Sequence, residues 1–546
     1  MAEHWYKNAL IYCLDVKTFS DGNGDGIGDF IGLSDRLQYL AGLNVDCVWL
    51  QPFHPSPMRD NGYDITDYYA VDPRLGTLGD FVEFTRRAKD KGLRVMIDLV
   101  VNHTSIDHPW FQAARSDAAS PYRDYYVWSD EKPADADEGT VFPGVQTTTW
   151  TWDREAKAYY FHRFHDHQAE LNISNPAVRR EIERITGFWL QLGVTGFRVD
   201  ALPFLIELKN LPTAGHADPH EYLRQLRHHV QTLQGDVCLM AEANLPPEDV
   251  PDYFGQGDKI HMSFNFWVNQ HLFLALARED ARPLRTAWEQ LPPLPDACQW
   301  NHFLRSHDEL DLGRLSDAQR HEVFAAFGPA PDMQIYGRGI RRRLAPMLGN
   351  DRRRLELAHS LMLTLPGTPV LRYGDEIGMG DDLSLPERES VRTPMQWSDD
   401  PNGGFSPAPA DQLSLPVISE GEFGHAHVNV EQQLHDPDSL LNWLERMFRR
   451  RKESPAFGLG DCTFLDLGEH AVLAHRCDHG PTTAFAVHNL SGRRVQVSLT
   501  VDQAGTPVTC VQEVLAGRRH PVGDDGEHTL TLGPYGYAWL VCTAGT

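Results

Sequence analysis

Gly196-Phe197-Arg198-Val199-Asp200-Ala201 is an apolar run carrying a guanidinium and a carboxylate two residues apart. Successive side chains of a strand point to opposite faces, so Arg198 and Asp200 share one face and Phe197 and Val199 the other. Buried charge is costly unless it is paired or used. The reading is that Asp200 is a nucleophile and that Arg198 keeps it ionised. Glu242 and Asp308 end two later apolar runs, and Asp98, Asn102, His103 and His307 lie at the ends of such runs as well. A lone Asp at a strand end is most often a cap or a turn residue. Several such groups at the same end of successive strands point instead to one pocket. There an ionised carboxylate could attack while a protonated one donates.

Positioning these groups requires a regular frame. Val45–Leu50, Leu93–Val100, residues 195–201 and Val237–Glu242 read as strands, as do stretches near His261–Phe266, Phe303–His307 and Pro369–Leu371. With Ala9–Val16 they make eight. Helical stretches alternate with them: Leu33, Leu37 and Leu40 recur with helical period, and so do Leu440, Leu444, Met447 and Phe448. Alternation of this kind gives a parallel sheet with helices outside, here an α/β fold of the (β/α)8 barrel type. In such a barrel the active site lies at the C-terminal ends of the strands. The rhythm breaks at 103–172, which reads as an inserted domain, and from 456 to 546 it becomes all-β. Residues 1–102 and 173–455 are the two parts of the barrel.

At 546 residues one core cannot serve the whole chain. Acidic residues outnumber basic ones 76 to 50, a net charge of −26, which argues against nucleic acid or an anionic membrane as partner. The N-terminus lacks a signal peptide's pattern, and no apolar run nears the roughly 20 residues that span a bilayer. The eight cysteines form no CxxC pair. Zinc and a disulfide framework are therefore not expected, and reduced thiols in a cytoplasmic protein are. The basic run Arg449–Lys452 suits a helix C-terminus.

DLVVNH (98–103), GFRVDA (196–201), MAEAN around Glu242 and FLRSHD (303–308) resemble the four signature regions of the alpha-amylase family of glycoside hydrolases. The resemblance implies a catalytic barrel, a domain inserted after strand three and a C-terminal antiparallel β-sandwich. It implies Asp200 as nucleophile, Glu242 as general acid/base and Asp308 as the carboxylate that binds sugar hydroxyls. Arg198, His103 and His307 would surround the sugar, Tyr63 would stack on it, and Phe164 and Gln168 would line the pocket. Asp60 would pair with Arg392 and close the pocket behind the non-reducing end.

The loop Asp21, Asn23, Asp25, Ile27, Asp29 offers oxygens at alternate positions, as loops that wrap a hard cation do. The resemblance favours a structural Ca2+ or Mg2+ there. It suggests a second site at Asn102, Glu170, Phe204, Leu205 and Glu207, and no organic cofactor. Within the family, SDGNGDGIGDF, PFHPSPMRDNGYDITDY and WTWDREAKAYYFHRF are most similar to the members that isomerise maltose to trehalose. Small α-glucosides such as these would be the substrates, and a homo-oligomer is left open. HMSFNFWVNQ and RSHDELDLGRLS depart from those members. An α-glucosidase or related transglucosylase is the alternative; a non-catalytic amylase-like protein would lack part of the carboxylate set.

Overall fold

A computed structural model describes residues 4–207, 219–503, 506–508, 510–523 and 525–543. Eight parallel strands close into a barrel: β1 (Ile11–Leu14), β2 (Cys47–Leu50), β3 (Arg94–Leu99), β4 (Gly196–Val199), β5 (Cys238–Ala241), β6 (Met262–Phe264), β7 (Gln299–Phe303) and β8 (Thr368–Arg372). Each pairs with its sequence neighbours, and β8 pairs with β1. Side-chain alternation sorts the strands into two layers. Cys13, Cys47, Trp49, Met96, Met240, Phe264 and Phe303 pack together inside the barrel. Tyr12, Val48, Ile97, Phe197, Val199 and Leu239 join the larger core shared with the helices. Phe197 and Val199 thus anchor β4 outward while Arg198 faces in.

Seven of the eight strands coincide with the stretches read from the sequence, and β7 is displaced. It runs Gln299–Phe303, ending where the sequence reading begins. Its polar side chains conceal it: Gln299 donates to the Gly458 carbonyl at 2.7 Å, and His302 bonds the Pro366 carbonyl at 3.1 Å. His307 and Asp308 therefore stand on the loop beyond the strand.

Between β3 and the helix Pro176–Gln191, His103–Ser105 pairs with Gln168–Glu170, and a three-stranded antiparallel sheet forms from Trp128–Ser129, Ala158–Phe161 and Trp150–Asp153. After the helix Leu440–Glu453 comes a six-stranded antiparallel sheet, packed with the pair Val495–Thr500 and Glu527–Leu532 over Val472, Phe485, Val497 and Leu540. The basic run does end that helix, but Arg451 is buried and donates to the carbonyls of Leu363 and Gly367.

The expectation of reduced thiols fails at one pair. Cys462 and Cys477 are disulfide-bonded. They face each other on paired antiparallel strands, with Cα atoms 4.1 Å apart. A separation of 15 residues does not disclose that register. Among the described residues no helix is long and apolar enough to cross a membrane.

Candidate active site

β4 ends at Val199, and Asp200 follows it into the barrel mouth. Arg198, at the register of Asp98 on β3 and Met240 on β5, reaches three carboxylates with one guanidinium. Its Nη1 lies 2.5 Å from Asp200 and 3.0 Å from Asp98, and its Nη2 lies 2.9 Å from Glu242. Arg198 is therefore not a private partner of Asp200. It clamps Asp200 and Glu242 side by side, with Asp98 behind them. The Asp98 carboxyl is wholly covered, whereas Glu242 keeps 25% of its side chain exposed. Only Asp200 and Glu242 of these three can meet a ligand. Ala201 adopts a left-handed conformation (φ 49°), unusual for a residue with a Cβ, and so aims its N–H at Glu242 Oε2, 3.0 Å away.

Burial dominates the electrostatics. It pushes Asp200 up to about 6 and Glu242 up to about 7, against the pull of Arg198. Asp98 rises to about 7 for the same reason. Glu242 also feels the negative charges of Asp200 and Asp308. Near neutrality Asp200 is mostly ionised while Glu242 is divided between its two forms. Burial would raise Asp308 too, but His307, 3.0 Å from its Oδ2, and Arg388 and Arg392, 2.8 and 3.0 Å from its Oδ1, hold it well below the usual range. Burial lowers His307 to about 3, so its ring is neutral.

Tyr63 stacks on the His307 ring at 5.7 Å, and its hydroxyl meets Asp98 (3.1 Å) and His307 Nε2 (2.8 Å). His103 bonds the Tyr63 carbonyl and faces Phe164. Gln168 donates to Asp60 Oδ2 at 3.0 Å. Trp49, Asp60, Tyr63, His103, Phe164, Gln168, Arg198 and His307 line one cavity of about 480 Å3 with the three acidic residues 200, 242 and 308.

One expected contact is corrected. Asp60 pairs with Arg388 at 2.9 Å, not with Arg392, which binds Asp308 and the His307 carbonyl. Arg388 lies one short helical turn (Glu387–Val391) before Arg392 and bridges Asp60 to Asp308 across the pocket's back wall. Sequence reasoning missed it because two arginines four residues apart compete for the same acids, and only the turn decides. Phe142 and Glu309, also on the wall, carried no signal.

The two cation loops fare differently. At Asp21–Asp29 the N–H of Asn23 is shared by Asp21 Oδ1 (3.1 Å) and Asp29 Oδ2 (3.0 Å). Two carboxylates so close repel, and burial with Asp21 nearby raises Asp29. The oxygens of Asp21 and Asp29 accept backbone N–H groups of the loop and of the helix that follows; oxygen donors are the type a hard cation takes. Among the described residues no group of three or more His, Cys, Asp or Glu side chains forms a metal cage. At the second loop the cation is Arg163: it bonds Glu207 at 2.5 Å, and its N–H donates to Glu170 at 3.0 Å. Asn102 meets His103 through its Nδ2, 3.3 Å from Nδ1, and its Oδ1 is buried with no hydrogen-bond partner among the described residues.

A barrel with ionised and protonatable carboxylates at its C-terminal rim, walled by aromatic rings, defines a carbohydrate-active enzyme. Residues 13–324 and 340–460 match the alpha amylase catalytic domain, and residues 482–541 match the sucrose hydrolase-like C-terminal domain. The chain is 43% identical to the trehalose synthase of Pimelobacter sp. (strain R48), covering 99% of this chain and 96% of that protein. To the trehalose synthase/amylase TreS of Mycobacterium tuberculosis it is 42% identical, over 99% and 90%. The solved trehalulose synthase MutB from Pseudomonas mesoacidophila MX-45 superposes with a TM-score of 0.77 at 26% identity, covering 98% and 99% of the chains. The chain belongs to the alpha-amylase family.

Proposed function

We propose that the protein isomerises maltose to trehalose through a glucosyl-enzyme intermediate. The observation that carries this reading is the clamp of Arg198 on Asp200 and Glu242 inside a pocket whose back wall is the Asp60–Arg388–Asp308 chain. Asp200 attacks the anomeric carbon while Glu242 gives its proton to the glycosidic oxygen, and that C–O bond breaks. The freed glucose stays in the pocket and turns. Its anomeric hydroxyl then attacks the intermediate, Glu242 takes the proton back, and Asp200 is released. The ionised Asp200 and Asp308 carboxylates on the pocket wall favour the cationic sugar of the transition state. Water must be kept from the intermediate.

Incubation with maltose, with products resolved by chromatography, tests the reading. Trehalose is expected with a minor share of glucose. Glucose alone would make the protein an α-glucosidase, the second reading, which the departures around HMSFNFWVNQ favour.

The pH profile is a further expectation. As pH falls below about 6, Asp200 takes up a proton and the nucleophile is lost; as pH rises above about 7, Glu242 loses its proton and the acid is lost. The kcat/KM should form a narrow bell between those values. A flat profile through this range would remove the assignment of the two roles.

Arg388→Ala should lower kcat/KM about 10- to 100-fold, the worth of charged hydrogen bonds at about 1.5–3 kcal/mol, because Asp60 and Asp308 lose their common partner. Unchanged kinetics on maltose would show that the back wall does not hold the sugar.

A Ca2+ at the Asp21–Asp29 loop belongs to the same reading. Its support is the oxygen spacing and the close approach of Asp21 and Asp29. EDTA should lower the melting temperature and added Ca2+ restore it; a melt indifferent to both would exclude a resident cation. A cytoplasmic setting is the part that Cys462–Cys477 speaks against, since disulfides are rare there.

A further inference from the structure

We propose that Lys17 is a positioning residue of the substrate pocket. Its ammonium fixes the turn that carries Asp60 and Tyr63, and so sets how tightly the sugar is held. Lys17 follows β1 in the short helix Val16–Phe19, whose N-cap is Asp15. Its side chain is 14% exposed and that of Asp15 is 4% exposed. Neither side chain lines the pocket. A covered ammonium is costly unless it is paired or used, and burial draws this one below its ordinary range against the pull of Asp15.

Its use is at Asn61. Asp60-Asn61-Gly62-Tyr63 is a tight turn, closed by the Tyr63 N–H donating to the Asp60 carbonyl at 2.9 Å. Both central residues are left-handed, Asn61 at φ 51° and Gly62 at φ 97°. Such a turn suits glycine and asparagine and strains other residues. A Cβ on Gly62 would stand 3.0 Å from the Pro52 carbonyl oxygen. Both ends of the Asn61 amide are gripped. Its Oδ1 accepts from Lys17 Nζ, and its Nδ2 donates to Asp15 Oδ2 at 3.3 Å. Asp15 in turn accepts from the Lys17 N–H at 3.0 Å and has its Oδ2 3.8 Å from Lys17 Nζ. Asp15, Lys17 and Asn61 thus close a ring behind the turn.

The two residues that flank Asn61 and Gly62 face the pocket. Asp60 takes Arg388 at 2.9 Å and Gln168 at 3.0 Å, and the Tyr63 hydroxyl meets Asp98 and His307. In the reading above, this wall seats the non-reducing glucose. Lys17 acts on the sugar only through that turn. Asp200 and Glu242 are held separately, by Arg198. The wall grips the glucose in the ground state and in the transition state alike. Loosening it removes binding common to both, which raises KM and leaves kcat nearly alone.

Lys17→Met should raise the KM for maltose about 10-fold, with kcat within about 3-fold of the wild type. Maltose consumed is the readout, so the outcome does not depend on which product forms. The limbs of the pH bell, near 6 and 7, should stay in place. Asn61→Gly keeps the left-handed backbone and deletes the amide that Lys17 holds. It should show the same rise in KM, and adding Lys17→Met to it should raise KM no further.

A Lys17→Met protein with a lower melting temperature and an unchanged KM would make the residue merely structural and overturn the proposal. A further rise of KM in the double variant would overturn it as well. Should Lys17→Met not fold, an unchanged KM in Asn61→Gly decides against it. Crystals of Lys17→Met should show Asp60 withdrawn from Arg388. An unmoved turn there overturns the proposal whatever the substrate, whereas a moved turn in an enzyme that ignores maltose would count against the isomerase reading alone.

Discussion

Asp200→Ala should lower maltose turnover by at least about 10^4-fold, the scale seen when a member of a covalent catalytic set is removed. The fold should survive. In the variant, Arg198 keeps Asp98 at 3.0 Å and Glu242 at 2.9 Å, so no cation is orphaned. Asp200 sits past the end of β4 and makes no strand contact that alanine would break. Because burial raises Asp200 to about 6, its removal also relieves a neighbour that disfavours ionisation of Glu242. Glu242 should therefore titrate lower in the variant, a shift that NMR can follow while activity is absent. Near wild-type turnover would sink the assignment of Asp200 as nucleophile. A variant that fails to fold would show that Asp200 holds the barrel mouth together instead.

Arg198→Leu should have the largest effect on stability. The buried Asp98 and Asp200 and the partly buried Glu242 would lose their common cation. Breaking a buried pair from one side costs about 3–5 kcal/mol, because the charge left behind has no counterpart. The carboxylates can escape part of this by taking up protons. Their raised affinities would then rise further, and residual activity would move to higher pH. Arg198→Lys should recover little, since one ammonium cannot fork between Nη1-side and Nη2-side partners. Urea unfolding of the three proteins measures this. A leucine variant as stable as the wild type would mean that the carboxylates, not the guanidinium, set the geometry.

Much of the frame was legible because its signals are local. The alternation in Phe197-Arg198-Val199-Asp200 told which side chains face the barrel interior, and seven strands followed from apolar runs bounded by helices of period 3.6. β7 was misjudged because its polar residues Gln299 and His302 are buried by bonds to Gly458 and Pro366, far away in the chain. The same limit explains the pairing of Asp60. Arg388 and Arg392 are four residues apart, and a single turn assigns one to Asp60 and the other to the His307 carbonyl.

Residue order alone carries the class of barrel, the inserted and C-terminal segments, and the acidic residues at or just beyond the strand ends. These rest on periodicity and on residue type, which a linear chain carries in full. Folding settled that Arg198 serves three carboxylates, that Arg163 pairs with Glu207, and that Cys462 meets Cys477. Each of these is a choice among partners of suitable charge or chemistry. Such choices are made by distance and burial, and those exist only after the strands have closed. Arg198 and Asp200 began as two charges on one strand face; the closed barrel makes them part of a clamp that also holds Glu242.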